Sequence, residues 1–307
     1  MDIAIFNQVF DRAFLAATPL LLAILGEILT ERAGILNLGL EGLMSVGAMA
    51  AFLTAMASGS AFLAITAAIL TAMLLALVHG IFSVNMRGNQ VVSGLAIAMI
   101  GSGLASVWGR PYIGRSIAAK MGPLKIPFLS DIPLLGAFFR QSIFFYIAIL
   151  LAITLWLFLM RTRGGVILRS CGHNPRAAES QGIGVAKVRL LATIIGGGLS
   201  GLAGSQLVLS YSSSWTDNIV AGRGWIAVAL TIFSLWSPLR AVWGAFLFGL
   251  IFVLQYVLQP LGISPSFLAM LPYLATLTIL IIEGARRAQH HSHEPAMLGE
   301  PFSPGER

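Results

Sequence analysis

The sequence contains little charge and almost no cysteine. Only 10% of its 307 residues are Asp, Glu, Lys or Arg, and Cys171 is the single cysteine. One cysteine excludes an internal disulfide and any metal site built from several cysteines. The low charge, together with 57% hydrophobic residues in long apolar runs, excludes an ordinary soluble domain. The composition therefore predicts an all-α, polytopic helical membrane protein.

The sequence also lacks the patterns that catalysis or cofactor binding requires. It contains no GxxxxGK[ST] loop, and its glycine-rich run at 196–204 lies in an apolar stretch without the lysine that would contact phosphate. His79 is isolated in an apolar run, and His290, His291 and His293 belong to a polar tail. We therefore expect no catalytic residue, no cofactor and no metal. A membrane-embedded enzyme is the least favoured class, and any ATP hydrolysis would need a separate subunit.

The formal net charge of +7 does not point to nucleic acid. The basic residues lie in short connections between apolar runs, where they orient a membrane protein by the positive-inside rule. Residues 161–189, Arg87, Arg240 and the pair Arg286 and Arg287 fall on one side under a nine-span count, whereas the basic residues of 109–140 fall on the other. We expect a cytoplasmic C-terminus, contact with membrane lipid and no nucleic-acid partner.

About nine apolar stretches are predicted to span the membrane. Residues 1–14 are too polar to span and predict a short interfacial helix before the first of them. Residues 1–285 would form the transmembrane domain, and residues 286–307 a disordered cytoplasmic tail that binds nothing specific. The predicted spans are 15–29, 31–56, 62–84, 91–108, 143–160, 190–211, 225–236, 241–259 and 267–282.

Polar residues inside these spans are the candidates for a solute pathway, because ionisable groups at bilayer depth usually face a bundle interior or a water-filled path. Asn37 and Glu41 lie one helical turn apart in the predicted second span and would share a face. Ordinary helix capping and interfacial anchoring by aromatic residues explain the other candidates equally well. The candidates are Asn37, Glu41, Gln90, Ser93, Trp215 and Asp217.

Three motifs in order carry a family resemblance. They are ERAGILNLGLEGLMSVGAMA from Glu31, CGHNPRAAESQGIGVAKVRLLATIIGGGLSGLAG from Cys171, and AGRGWIAVALTIFSLWSPLRAVWGAFLFG from Ala221. The chain resembles the permease subunits of ATP-binding-cassette (ABC) importers of the simple-sugar and nucleoside type over nearly its whole length. The resemblance is closer to the nucleoside branch, which works with lipoproteins like the basic membrane proteins. One departure is Ser234, where the pattern leads us to expect glycine.

The resemblance implies a cytoplasmic coupling helix that docks in a groove of the ATPase subunit. Asn174 suits the cap of this helix, and Pro175 suits its first position. Closure of the ATPases on ATP would move the helix and switch the pathway between outward and inward access. The coupling residues implied are Gly172, Asn174, Ala177, Ala178, Gly182 and Ile183.

The function implied is import of a nucleoside or related small polar solute across a bacterial inner membrane, driven by ATP hydrolysis in another chain. The partners implied are an ABC ATPase, an extracytoplasmic substrate-binding protein and a second permease that is a different, homologous chain. A simple sugar such as ribose stays open as the substrate. The alternative class is a self-sufficient, ion-coupled secondary transporter, in which Glu41 and Asp217 would be coupling groups.

Overall fold

A computed structural model describes residues 3–130, 132, 136–287 and 294–303. Over these residues the chain is helical, with isolated β-bridges at Ser116–Ser214 and Pro123–Ser142 and no strand. The prediction of an all-α fold is confirmed. The helices are α1 (Ile3–Arg32), α2 (Leu40–Ser58), α3 (Ala61–Gly80), α4 (Gln90–Gly109), α5 (Ile143–Arg161), α6 (Arg163–His173), α7 (Pro175–Ser180), α8 (Val185–Gln206), α9 (Arg223–Phe233), α10 (Pro238–Leu258) and α11 (Pro265–Arg287).

Helices α1, α2 and α8 form the centre of the bundle, and the other long helices surround them. The most apolar window of α1 is 89% buried and that of α2 is 78% buried, whereas the window of α3 is only 22% buried. The outer helices turn large apolar side chains outward, including Leu74 of α3 and Met99 of α4, which are 64% and 77% exposed. Such a surface is typical of a bundle surrounded by hydrocarbon.

Small residues let the central helices approach each other closely. A side chain at Gly47 of α2 would collide with the backbone of Gly201 in α8, and one at Gly196 of α8 would meet the Gly26 carbonyl of α1. Gly197 and Ser205 of α8 are likewise buried. In a membrane, helix association depends on this close packing, because lipid tails are as apolar as the side chains.

Seven of the described helices are long and apolar enough to cross a membrane. Helix α9 and the apolar part of α11, Ser266–Thr278, are shorter. The predicted count of nine would require both of these to count as spans, so it stays a prediction. The seven long segments are Asn7–Arg32, Leu40–Ser58, Ala61–Asn85, Gln90–Tyr112, Ile143–Arg161, Val185–Ser212 and Pro238–Leu258.

The N-terminal helix does not follow its predicted division. We expected an interfacial helix over residues 1–14 and a separate span, but α1 runs without a break from Ile3 to Arg32. The polar residue Asp11 fits within this helix because its carboxylate forms a salt bridge with Arg140 at 3.0 Å. One continuous helix therefore replaces the two predicted elements.

The second span begins at Leu40 rather than at Glu31. Glu31 and Arg32 end α1, and residues 33–39 form a buried, non-helical connection before α2. Asn37 lies in this connection, so Asn37 and Glu41 do not share a helical face as predicted. Irregular backbone at membrane depth is tolerated only where protein shields it from lipid.

The C-terminal residues are described in part. Helix α11 continues to Arg287, and residues 294–303 lie against α6 and α8. Residues 288–293 and 304–307, which belong to the predicted disordered tail, lie outside the described residues. The division into a domain of 1–285 and a tail of 286–307 stays a prediction.

Candidate functional site

Side chains from three helices satisfy the backbone of the connection between α1 and α2. The Leu36 N–H donates to Gln90 Oε1 at 2.7 Å, and the Asn37 N–H donates to Glu27 Oε1 at 3.2 Å. The Leu36 carbonyl lies 3.2 Å from His79 Nε2. Buried backbone groups without partners are costly, so these contacts from α1, α3 and α4 make the helix break possible.

Two predicted pathway residues of α4 lie beside this connection. Gln90 and Ser93 are only 2% and 8% exposed, and Ser93 Oγ lies 3.0 Å from His79 Nδ1. The cap of α4 is Asn89, whose Oδ1 accepts the Val92 N–H at 3.0 Å. The structure thus places Gln90, Ser93 and Asn37 against the connection rather than around a cavity, and a pathway role for them stays a prediction.

Glu41 holds the beginning of α9. Its Oε1 accepts the Gly222 N–H and its Oε2 accepts the Gly224 N–H, both at 2.8 Å. A side chain at Gly224 would collide with the Glu41 backbone. The unpaired N–H groups and positive dipole end of a helix favour a carboxylate at this position. Glu41 therefore caps, from another helix, a helix that starts inside the protein.

Arg223, the first residue of α9, secures the same end. Its guanidinium lies 5.0 Å from the ring centres of Tyr211 and Phe252, and it donates to the Val220 carbonyl at 3.0 Å. Contacts of a cation with ring faces and carbonyls offset the cost of burying the charge. The polar candidates drawn from the sequence did not include Arg223, although an arginine between two glycines and before an apolar run is a usable signal.

Two neighbouring cavities lie along the segment that precedes α9. Their volumes are about 320 and 580 Å³, within or near the range of sites for small molecules. Ser102 and Asn218 line both of them. The other polar and aromatic side chains lining the smaller cavity are Ser45, Ser106, Trp215 and Asp217, and those lining the larger are Glu41, Arg223, Trp225, Phe252, Gln255, Tyr256 and Tyr273.

The structure brings three of the predicted pathway residues, Glu41, Trp215 and Asp217, to these cavities. Asp217 Oδ1 accepts the Ser106 hydroxyl at 2.6 Å and the Asn218 N–H at 3.1 Å, which holds the loop to α4. Trp215 is 2% exposed and packs 5.5 Å from the Phe52 ring centre. Both residues therefore have clear structural contacts beside the cavities, and contact with a solute stays a prediction.

The other end of α9 is tied to α1. Arg32 donates to the carbonyls of Leu235 and Trp236, and the Trp236 indole N–H donates to Glu31 Oε2. Leu235 and Trp236 have φ values of 53° and 52°, which non-glycine residues adopt rarely and at a cost. Contacts from α1 thus hold the strained turn after α9, as Glu41 holds its beginning.

Helices α6 and α7 form a separate segment at the end of the bundle where α1 finishes. This end of the bundle is called the α7 end below. Asn174 Oδ1 accepts the Ala177 N–H at 3.0 Å, and Pro175 is the first residue of α7. The predicted cap is therefore confirmed. Ala177 is exposed, whereas Ala178 is 3% exposed and packs on Cys171. Burial raises the pKa of the Cys171 thiol, and the nearby Arg189 guanidinium only partly offsets this.

The remaining predicted coupling residues border α7. Gly172 is buried, and a side chain there would collide with the Arg32 carbonyl. Gly182 follows α7 with a φ of 78°, a conformation that favours glycine, and Ile183 packs against the cluster around Cys171. A groove of about 570 Å³ lies between Arg32, α6, α7 and residues 294–295, and Asn174, Ala177, Ala178 and Ile183 line it.

Comparison with known proteins identifies the family. The family described as "Branched-chain amino acid transport system / permease component" matches residues 9–281. The chain is 33% identical to the guanosine ABC transporter permease protein NupQ of Bacillus subtilis, over 100% of both chains. It is 32% identical to the nucleoside ABC transporter permease protein NupC of Lactococcus lactis, over 87% of this chain and 89% of that one.

A third relative carries a different substrate in its name. The chain is 39% identical to TsgC13 of Haloferax volcanii, over 86% of this chain and 88% of that one, and the name of that protein assigns it provisionally to a glucose ABC transporter. These relatives therefore agree on the class of protein and differ in the solute that is named.

A solved structure supports the fold. It is an inward-facing ABC transporter, provisionally described as of the metal-chelate type, and the similarity covers 93% of this chain and 87% of that one with a TM-score of 0.51 and 16% identity. The family, the relatives and this fold favour the ABC permease over the ion-coupled alternative. The chain belongs to the branched-chain amino acid transport system / permease component family and is the multi-pass membrane permease of an ABC transporter.

Proposed function

We propose that this permease imports a nucleoside or a related small polar solute across a bacterial inner membrane, with its α7 end and C-terminus in the cytoplasm. In this family an ABC ATPase and a substrate-binding protein are the general partners. We further propose a second, homologous permease that completes the pathway with this chain, and lipid around the outer helices. Hydrolysis of ATP would occur in the ATPase, and this chain would carry out no reaction itself.

The observation that carries the proposal is the position of α9. Its first turn lines the larger cavity with Arg223 and Trp225, and the turn that follows it is tied to Arg32, which lines the groove beside α7. With 11 residues it is about 16 Å long, roughly half of a hydrocarbon core. A displacement at the groove therefore has a direct structural route to the cavities.

The larger cavity suits a neutral solute with a ring and several hydroxyl groups. Gln255 and Asn218 provide amide donors and acceptors, and Trp225, Tyr256 and Tyr273 provide aromatic faces. Both oxygens of the Glu41 carboxylate accept backbone N–H groups, which is what a structural cap requires. Aromatic faces favour the base of a nucleoside, so we place nucleosides before simple sugars such as ribose or glucose.

The coupling role is proposed for the exposed face of α7 and its borders, the residues Gly172, Asn174, Ala177, Ala178, Gly182 and Ile183. Ala177 is exposed and lines the groove, so a partner can reach it. Ala178 is buried against Cys171, so a large residue there would disturb the local fold before it tested docking. Ala177 alone is therefore the residue to change.

The test is uptake of radiolabelled nucleosides into proteoliposomes that contain this chain and its co-purifying subunits. We would compare the wild type with Ala177→Arg and with Ala186→Arg, which changes an exposed alanine at the start of α8 in the same way. We expect uptake that requires ATP, loss of this uptake in Ala177→Arg, and near-normal uptake in Ala186→Arg. Competition by unlabelled guanosine, ribose and glucose identifies the solute class.

Two results would contradict the proposal. Uptake driven by an ion gradient without ATP would restore the secondary transporter, with Glu41 and Asp217 as the groups to study. Near-normal uptake in both arginine variants would remove the coupling role of α7 while leaving the permease function intact.

A further inference from the structure

Residues 294–303, called the C-terminal strap below, pack across the α6–α7 segment. The Met297 N–H donates to the Gly172 carbonyl at 3.1 Å, and the Ala296 N–H donates to His173 Nδ1 at 3.4 Å. Phe302 packs on a small cluster formed by Cys171, Ala178 and Val185, which is separate from the main core. The strap therefore completes an apolar cluster that α6, α7 and α8 form only in part.

Arg189 of α8 joins the strap to the rest of the molecule. Its Nη1 donates to the Glu300 carbonyl at 3.2 Å, and its Nη2 donates to the Cys171 carbonyl at 3.1 Å. Its guanidinium lies 5.9 Å from the ring centre of Phe302. A side chain at Gly34 would come within 2.8 Å of Nη2, so Arg189 also touches the connection between α1 and α2.

These contacts are more than a surface attachment. Arg189 is 2% exposed, and a buried guanidinium is costly unless carbonyl groups or ring faces compensate for the lost water. The strap supplies one such carbonyl and the ring, and α6 supplies the other carbonyl. A single side chain on a central helix thus holds the strap, the end of α6 and the α1–α2 connection together.

Among the described helices, α7 packs mainly against α6 and α8. Helix α7 has only six residues and is followed by Gly182 and Gly184, which allow its position relative to α8 to vary. Phe302 is the largest side chain of the cluster beneath α7. Loss of the strap would remove this side chain and so weaken the apolar contact between α7 and α8.

We propose that the C-terminal strap and Arg189 form a clamp that transmits displacement of α7 to α8, so that ATP hydrolysis by the partner is converted into movement of the pathway. The inference rests on the proposed function, because it assumes that an ATPase docks on α7. It assigns Arg189 and the strap as positioning elements that touch neither solute nor nucleotide.

The first test compares two shortened chains in the assembled complex. One chain ends after His293 and lacks the strap, and the matched control ends after Ser303 and lacks only the last four residues. We expect the chain of 1–293 to retain the ATPase subunit and ATP hydrolysis while its uptake per ATP hydrolysed falls about tenfold, a typical size for the loss of coupling between sites. The chain of 1–303 should match the full-length protein.

The second test uses Cys171, the single cysteine, as a reporter of strap packing. Cys171 is 0% exposed and Phe302 packs against its cluster, so a maleimide should modify it slowly in the full-length complex. We expect modification about tenfold faster in the chain of 1–293 and in Phe302→Ala, because local opening then exposes the thiol. The chain of 1–303 should react as slowly as the full-length protein.

Arg189 is tested by its conservative replacement. Arg189→Lys keeps the charge and one donor nitrogen, so it should retain more uptake per ATP than Arg189→Met, with both variants screened for a single peak in size-exclusion chromatography. If Arg189→Met does not fold, Phe302→Ala decides, since it removes only an aromatic ring from the strap.

The outcomes separate the two proposals. Full uptake per ATP in the chain of 1–293, or unchanged Cys171 modification in it, overturns the clamp and leaves the permease function standing. If the full-length complex shows no ATP-dependent uptake, the proposed function fails instead. A chain of 1–293 that no longer retains the ATPase would also overturn the clamp, because the strap would then be part of the docking surface.

Discussion

The α7 end and the cavity region use polar side chains in different ways. At the α7 end, Arg32, Gln90 and Arg189 all bond to backbone groups of other segments. At the cavities, Asn218 and Gln255 contribute to walls around open space. Polar residues of this protein thus satisfy interrupted backbone, border open space or, like Glu41, do both, and sequence spacing does not distinguish these roles.

Helix α9 connects the two regions and shows the same contrast within one element. Its beginning is held by Glu41, whose carboxylate also faces the larger cavity. Its end is followed by a turn held by Glu31 and Arg32, away from both cavities. Two glutamates therefore differ in position: Glu41 borders a cavity that a solute could enter, whereas Glu31 stabilises a turn.

The largest expected change in the free energy of unfolding comes from adding a side chain in the densely packed centre rather than in a cavity wall. Gly201→Leu would collide with the Ala68 carbonyl and the Ala72 side chain of α3, whereas Gly103, which lines the smaller cavity, has no atom within 4 Å of an added Cβ. We expect Gly201→Leu to lower the free energy of unfolding by about 3 kcal/mol and Gly103→Leu to have little effect. Unfolding in mixed micelles measures the difference, and equal losses would contradict this contrast in packing.

The next effect concerns the cap on α9. Glu41→Ala leaves the N–H groups of Gly222 and Gly224 without their acceptors, and we expect a loss of about 2 kcal/mol in unfolding free energy. Glu41→Gln keeps one acceptor and should lose about half as much. Gln255→Ala, in the wall of the larger cavity, is the comparison. If its cost equals that of Glu41→Ala, the distinction between cap and wall is lost.

Arg32→Lys tests the opposite end of α9 and should have a smaller effect. The forked guanidinium reaches the carbonyls of Leu235 and Trp236, and a lysine can reach only part of this geometry. We expect the free energy of unfolding to fall by about 1 kcal/mol. Limited proteolysis would show whether the turn at 234–237 becomes accessible, and no change in either measurement would mean that the strained turn does not need Arg32.

The smallest expected effect is a shift in the pH dependence of maleimide modification at Cys171. Because burial raises the pKa of its thiol, and the thiolate is the reactive form, modification by N-ethylmaleimide should begin at a higher pH in the native protein than in the SDS-unfolded chain. Mass spectrometry of the modified protein at several pH values measures the two profiles. Coincident profiles would show that the cluster beneath the strap is open to solvent.

Several features were predictable because they depend on local chemistry. Asn174 and Pro175 begin α7 as expected, since a cap and a first-turn proline act within a few residues. The small residues of α8 recur at a helical spacing, which places them on one buried face. The apolar runs predicted most of the long helices for the same reason.

Other features were not predictable from spacing. The break at 33–39 exists because Glu27, His79 and Gln90 arrive from other helices to satisfy it, and no residue within the stretch encodes that help. The same holds for the described strap, whose contacts depend on Arg189, more than a hundred residues away in sequence. Ser102 and Tyr273 line the larger cavity, although neither stands in a polar motif.

The sequence by itself determined the class of protein, most of its long helices, the cap of α7 and, through three ordered motifs, its family resemblance. These follow from composition and from interactions within a few residues, which act before the chain is packed. Only the tertiary structure decided where the second span begins, what Glu41 bonds to and which polar residues face open space. Those outcomes depend on groups distant in sequence that must satisfy buried backbone in a bundle that excludes water.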